Sequence, residues 1–102
     1  MTIYQTATYQ VNAQAIGKVR HAIEEFVQYV RTNEPGTRMY VAWQKKAAPS
    51  CFIHLFIFED EAAQIRHSES EAVKRFESIY SPKLVGGDVV FTDFDLVATN
   101  QL

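Results

Sequence analysis

Residues 51–58 read CFIHLFIF, a run with apolar side chains at both parities of a strand. Alternation places Ile53, Leu55 and Ile57 on one face, and Phe52, His54, Phe56 and Phe58 on the other. A strand with only His54 polar among its side chains must sit in a sheet covered twice. Directly after it come EDEAAQIRH and SESEAVKRF. The first predicts a helix from Asp60 to His67. The second predicts a restart behind a Ser-x-x-Glu capping box, Ser68 to Glu71.

The rest of the chain supplies what this block needs. Residues 2–11 are rich in Thr, Tyr, Ile and Val and predict a strand, with Ile3, Ala7, Tyr9 and Val11 on one face. Asn12 is a good N-cap. Behind it Ile16, Val19, Ile23, Phe26, Val27 and Val30 recur at spacings of three and four, the mark of an amphipathic helix. Glu34-Pro35-Gly36 ends that helix with the signature of a type II turn. A second strand follows over 37–44, with Met39, Val41 and Trp43 opposite Arg38, Tyr40, Ala42 and Gln44. The loop 45–50 suits an antiparallel hairpin into 51–58. The restarted helix runs through Val73, Phe76, Ile79 and Tyr80 to Ser81-Pro82, and a last strand is predicted over 89–98.

The order is therefore β-α-β-β-α-β. The fold class is α+β, ferredoxin-like: a four-stranded antiparallel sheet with helices on one face. Helices can cover only that face. The other is expected to expose Phe52, Phe56, Phe58 and Trp43 or Tyr40, too large an apolar patch for a monomer. A second copy packed sheet to sheet, a homodimer, removes the difficulty.

With 102 residues the chain has the length of a single domain, 1–102. A net charge of −2 without a basic stripe argues against a nucleic-acid partner. No run approaches the ~20 apolar residues of a membrane span, and no signal peptide is visible, so a cytoplasmic protein is expected. The one cysteine, Cys51, excludes an internal disulfide. Three scattered histidines lack zinc-site spacing, and no phosphate-binding glycine loop occurs, so no metal and no cofactor is expected.

Glu34-Pro35-Gly36, together with Asp60, Ala63, His67, Ser70 and Phe76, resembles the spaced pattern of the antibiotic biosynthesis monooxygenase family. The resemblance covers nearly the whole chain and implies a dimeric α+β barrel, with a pocket between sheet and helices near the second helix. It implies a cofactor-independent monooxygenase acting on a small aromatic molecule, phenolic or quinol-like. Two departures matter. Phe56 and Phe58 stand where relatives often carry a Glu two residues before an aromatic. The haem-degrading branch is disfavoured, because Glu77 occupies its ligand position, His67 stands for its Trp, and Thr6, Ala7 and Thr8 offer no Asn. The alternative reading is a non-catalytic small-molecule-binding or accessory protein of the same fold.

His67 is the candidate catalytic residue. A cofactor-free oxygenase must deprotonate an electron-rich substrate, and a pocket imidazole can do so. Its structural alternative is a cap at the helix joint, or a ring packed on Phe76. Tyr40, Trp43 and Phe58 are candidate aromatic walls of a substrate pocket, with core and interface packing as the alternative. His54 is a candidate substrate contact or a satisfied interface histidine. Arg66, and with it Arg38, could hold an anionic substrate or a developing oxyanion, or face solvent. His21 lies on the polar side of the first helix and is expected to be solvated.

Overall fold

A computed structural model describes residues 1–101. Four strands and three helices follow in the expected order: β1 (Ile3–Gln10), α1 (Ile16–Asn33), β2 (Thr37–Gln44), β3 (Cys51–Phe58), α2 (Glu61–Ser68), α3 (Glu71–Tyr80) and β4 (Val90–Phe94). One-turn 3-10 helices at Ala13–Ala15 and Ser81–Lys83 introduce α1 and terminate α3. All pairings are antiparallel, in the order β2-β3-β1-β4. No described helix is long and apolar enough to cross a membrane.

The helices lie on one face of the sheet. Val19, Ala22, Ile23, Phe26 and Val30, the buried stripe of α1, meet Phe76 and Tyr80 of α3 and the sheet residues Tyr9, Val11 and Phe52. Ala7, Phe56, Phe58 and Ala63 form a smaller cluster under α2. Phe52, Phe56 and Phe58 are thus the covered side of β3, with Tyr40 beside them, and not the open side expected above. The open face is built instead from Met39, Val41 and Trp43 paired to Ile57, Leu55 and Ile53, continuing through Tyr4, Thr6 and Thr8 to Phe94, Thr92 and Val90. Trp43, Val90 and Phe94 are each more than half exposed there. Both parities of β3 are apolar, so alternation could not tell the two faces apart.

Four local expectations are corrected. The cap of α3 is Ser70, whose hydroxyl accepts from Val73 N at 3.1 Å, while Ser68 closes the end of α2 by donating to the Ile65 carbonyl at 2.9 Å. Asn12 makes no side-chain cap bond. The turn at Glu34-Pro35-Gly36 closes through Thr37 N to the Glu34 carbonyl at 3.0 Å, but Gly36 keeps a negative φ, so it is not type II. Glycine is needed there for another reason. A Cβ on Gly36 would lie 2.7 Å from the Ala63 Cβ, so its absence lets α2 approach the start of β2. Finally, β4 ends at Phe94, and residues 95–98 run on without a strand partner in this chain.

Candidate functional site

The close approach at Gly36 brings the end of α1 against α2. Glu34 is the C-cap residue of α1, and His67 lies in the last turn of α2. His67 Nδ1 and Glu34 Oε1 are 2.7 Å apart, and both side chains are about nine-tenths buried. Thr37 Oγ1 donates to the same carboxylate oxygen at 2.8 Å. The second oxygen, Oε2, is buried and has no partner among the described residues. With Nδ1–H directed at a carboxylate, the neutral imidazole carries its lone pair on Nε2. Nε2 has no hydrogen bond to any described residue.

The ring of His67 is enclosed by aromatics. Centroid distances are 5.1 Å to Phe58, 5.6 Å to Phe26, 5.8 Å to Tyr40 and 6.1 Å to Phe56. On its other side is a cavity of about 210 Å³, lined by Glu34, Gly36, Thr37, Ala63, Arg66 and His67 among others. The arrangement can position a base, exclude much of the solvent around it, and hold a small molecule beside it.

A second polar centre lies deeper. His54 is 1% exposed. Its Nε2 is 2.8 Å from the Tyr9 hydroxyl and its Nδ1 is 2.8 Å from the Tyr40 hydroxyl. A neutral imidazole satisfies both, one nitrogen donating and the other accepting. Burial lowers the His54 pKa to about 4. Burial, and then the neighbouring Tyr80, raises that of Tyr9. Burial raises that of Tyr40 well above its ordinary value, with further increments from Tyr9, Tyr80 and Glu34. The three groups are therefore neutral near pH 7 and form a closed set.

The structure brings together His67, Phe58, Tyr40 and Arg66, and it separates them from Trp43. Trp43 lies on the open face of the sheet, across from Ile53. His54 touches the aromatic cluster through Tyr40, but neither nitrogen is free for a substrate or for a partner subunit, which corrects its reading as a substrate contact. Arg38 lines a groove between α1 and β2 that His67 does not line. His21 is exposed and 3.4 Å from Glu25. Among the described residues no three His, Cys, Asp or Glu side chains assemble as a metal site.

Glu34 enters the sequence reading as part of a turn and of the family pattern, and not as a partner of His67. One signal pointed to it. A carboxylate at a helix C-terminus opposes the macrodipole, an unfavourable placement by roughly 0.3–1 kcal/mol that invites another purpose. Its partner is 33 residues away, and nothing local announces the pairing.

The family model for antibiotic biosynthesis monooxygenase matches residues 2–78. Comparison with curated proteins finds no match. Solved structures share the fold throughout. A proposed antibiotic biosynthesis monooxygenase from Bacteroides thetaiotaomicron superposes with a TM-score of 0.90 at 16% identity, over 99% of this chain and 94% of that one. A second structure, of an antibiotic biosynthesis monooxygenase, gives 0.86 at 22% identity over 96% and 100%. A third, a proposed member from Caulobacter crescentus, gives 0.86 at 21% identity over 95% and 91%. At these identities the likeness is one of fold.

Proposed function

The chain belongs to the antibiotic biosynthesis monooxygenase family, and from that premise we propose that it is a cofactor-independent monooxygenase of a small phenolic or quinol-like molecule, with His67 as general base. The observation that carries the reading is the buried His67–Glu34 hydrogen bond beside a cavity. Glu34 and Thr37 hold the imidazole in the tautomer that offers Nε2, and the carboxylate stabilises the imidazolium formed when a substrate proton is taken. The resulting anion is electron-rich enough to reduce O₂. One oxygen atom then enters the product and the other leaves as water. The substrate supplies both reducing equivalents, so a phenol becomes a quinone with no flavin, haem or metal. Tyr40, Phe56 and Phe58 form the apolar side of the His67 environment, and Arg66 the polar side.

Oxygen uptake with hydroquinone as substrate tests this. His67→Ala should lower turnover by roughly 10²–10⁴-fold, the usual share of a general base, and should also lower the melting temperature, because it leaves the buried Glu34 carboxylate short of a partner. Binding without any oxygen uptake in the wild type would move the protein to the accessory, non-catalytic reading.

The same proposal includes a homodimer. The open face, with Leu55 at its centre and unpaired residues 95–98 beyond β4, is the apolar surface a second copy would cover. Sedimentation should give twice the 11.7 kDa chain mass, and Leu55→Asp should give a monomer or an unfolded chain. A well-folded wild-type monomer at micromolar concentration would end the dimer proposal.

A further inference from the structure

The cavity beside His67 is polar on one side, and Arg66 is its only lysine or arginine. Arg66 makes no ion pair with any described residue. The carboxylate that shares the cavity, Glu34, is already engaged by His67 and Thr37 through Oε1. A guanidinium lining a cavity without a carboxylate of its own is a ready partner for an anion, because its planar fork matches a carboxylate in two-point contact. Asn33 and Ser70 add further polar lining.

Volume sets the second constraint. A cavity of about 150 Å³ holds one benzene ring. The cavity here is about 210 Å³, which fits one ring with small substituents more closely than a fused polycyclic system. Resting on the oxygenase reading above, we infer that the substrate is a single-ring quinol bearing a carboxylate, with the carboxylate taken by Arg66 and the hydroxylated ring presented to His67. Charge balance is consistent with this. The bound anion faces Arg66, and the Glu34 carboxylate is engaged through Oε1 by His67 and Thr37.

Anaerobic titration calorimetry tests the inference apart from any turnover. The probes are 2,5-dihydroxybenzoate, hydroquinone, which has the ring and no carboxylate, and 1,4-dihydroxy-2-naphthoate, which has the carboxylate and a second ring. The wild type should bind 2,5-dihydroxybenzoate about tenfold or more tightly than hydroquinone, the effect of one charge-assisted contact. Arg66→Gln should abolish that preference, with the affinity for 2,5-dihydroxybenzoate falling to that for hydroquinone. Because Arg66 is exposed, the variant should fold as the wild type does. Equal affinity for the two single-ring quinols overturns the inference, as does tighter binding of the naphthoate. Equal affinity together with His67-dependent oxidation of hydroquinone removes the carboxylate requirement and leaves the oxygenase reading standing. Binding of 2,5-dihydroxybenzoate through Arg66 with no oxygen uptake removes the oxygenase reading and leaves the anion site.

Discussion

Two histidines, one on β3 and one on α2, lie within the same aromatic cluster, and the structure treats them oppositely. His54 projects from the middle of β3 and is sealed by two tyrosine hydroxyls, one on each nitrogen. His67 ends a short helix and has one nitrogen on a carboxylate and one without a partner, next to a cavity. Tyr40 touches both, through its hydroxyl to His54 and its ring to His67. The difference lies in what faces each ring. Neutral hydroxyls on a central strand make a structural knot. A carboxylate at the junction of two helices and a turn engages one nitrogen and leaves the other without a partner. Burial alone separates them poorly, since His67 is itself about nine-tenths buried.

The sharpest test of that contrast is acid stability. The His54 pKa falls from 6.5 in the unfolded chain to about 4 in the fold, because burial disfavours the charged ring. Between those values the unfolded chain binds the extra proton and the folded chain does not. The stability associated with neutral His54 is thus intact above pH 6.5 and is lost as pH falls toward 4. At about 1.4 kcal/mol per pH unit the loss is on the order of 3 kcal/mol. Urea unfolding at pH 7, 5.5 and 4 should show it in the wild type. A variant with Tyr9→Phe, His54→Leu and Tyr40→Phe together has no imidazole to titrate there and should lose correspondingly less. Identical slopes in the two proteins would mean that His54 is not the closed, neutral group described.

The next test attacks the other histidine through the backbone that places it. Gly36→Ala puts a Cβ 2.7 Å from that of Ala63 and 3.2 Å from Arg66 Nη2. Overpacking of this kind costs roughly 1–3 kcal/mol, and the displacement of α2 should lengthen the His67–Glu34 bond. The imidazole NMR signals of His67 should shift while those of His54 stay in place. Ala63→Gly in the same chain should restore the His67 signals, despite the ~1 kcal/mol that glycine costs a helix. Equal perturbation of both rings would show that the two centres are not independent.

The smallest expected effect is at the cap of the helix that carries His67. Asp60 accepts from Ala63 N at 2.8 Å. Asp60→Ala should destabilise by about 1 kcal/mol and Asp60→Asn by much less, because Asn caps nearly as well. Hydrogen exchange should localise the change to α2 and leave the β3 amides around His54 protected. Loss spread evenly across the sheet would argue that α2 is not the separately anchored element this picture needs.

Local pattern carried a good deal of this. The three-and-four spacing from Ile16 to Val30, the alternation of 51–58 and the punctuation at Pro35-Gly36 and Ser81-Pro82 each express a preference of neighbouring residues, so the element order could be read off them. Together with the spacing of Asp60, Ala63, His67 and Ser70 they were enough to reach the family. His67 was legible as a histidine at a helix joint, and Arg66 as its neighbour. What the tertiary structure alone decided is what depends on elements meeting. β3 is apolar on both sides, so alternation left its covered face open. That face follows from the crossover of α1 between the parallel strands β1 and β2, whose hand is imposed by backbone twist and not by side-chain type. The same crossover removed Trp43 from the candidate pocket and enclosed His54 between tyrosines. It also set a turn glutamate against a histidine 33 residues away. Hydrophobic periodicity records which residues avoid water, but the polar partner a buried histidine finds is fixed only when the chain has closed around it.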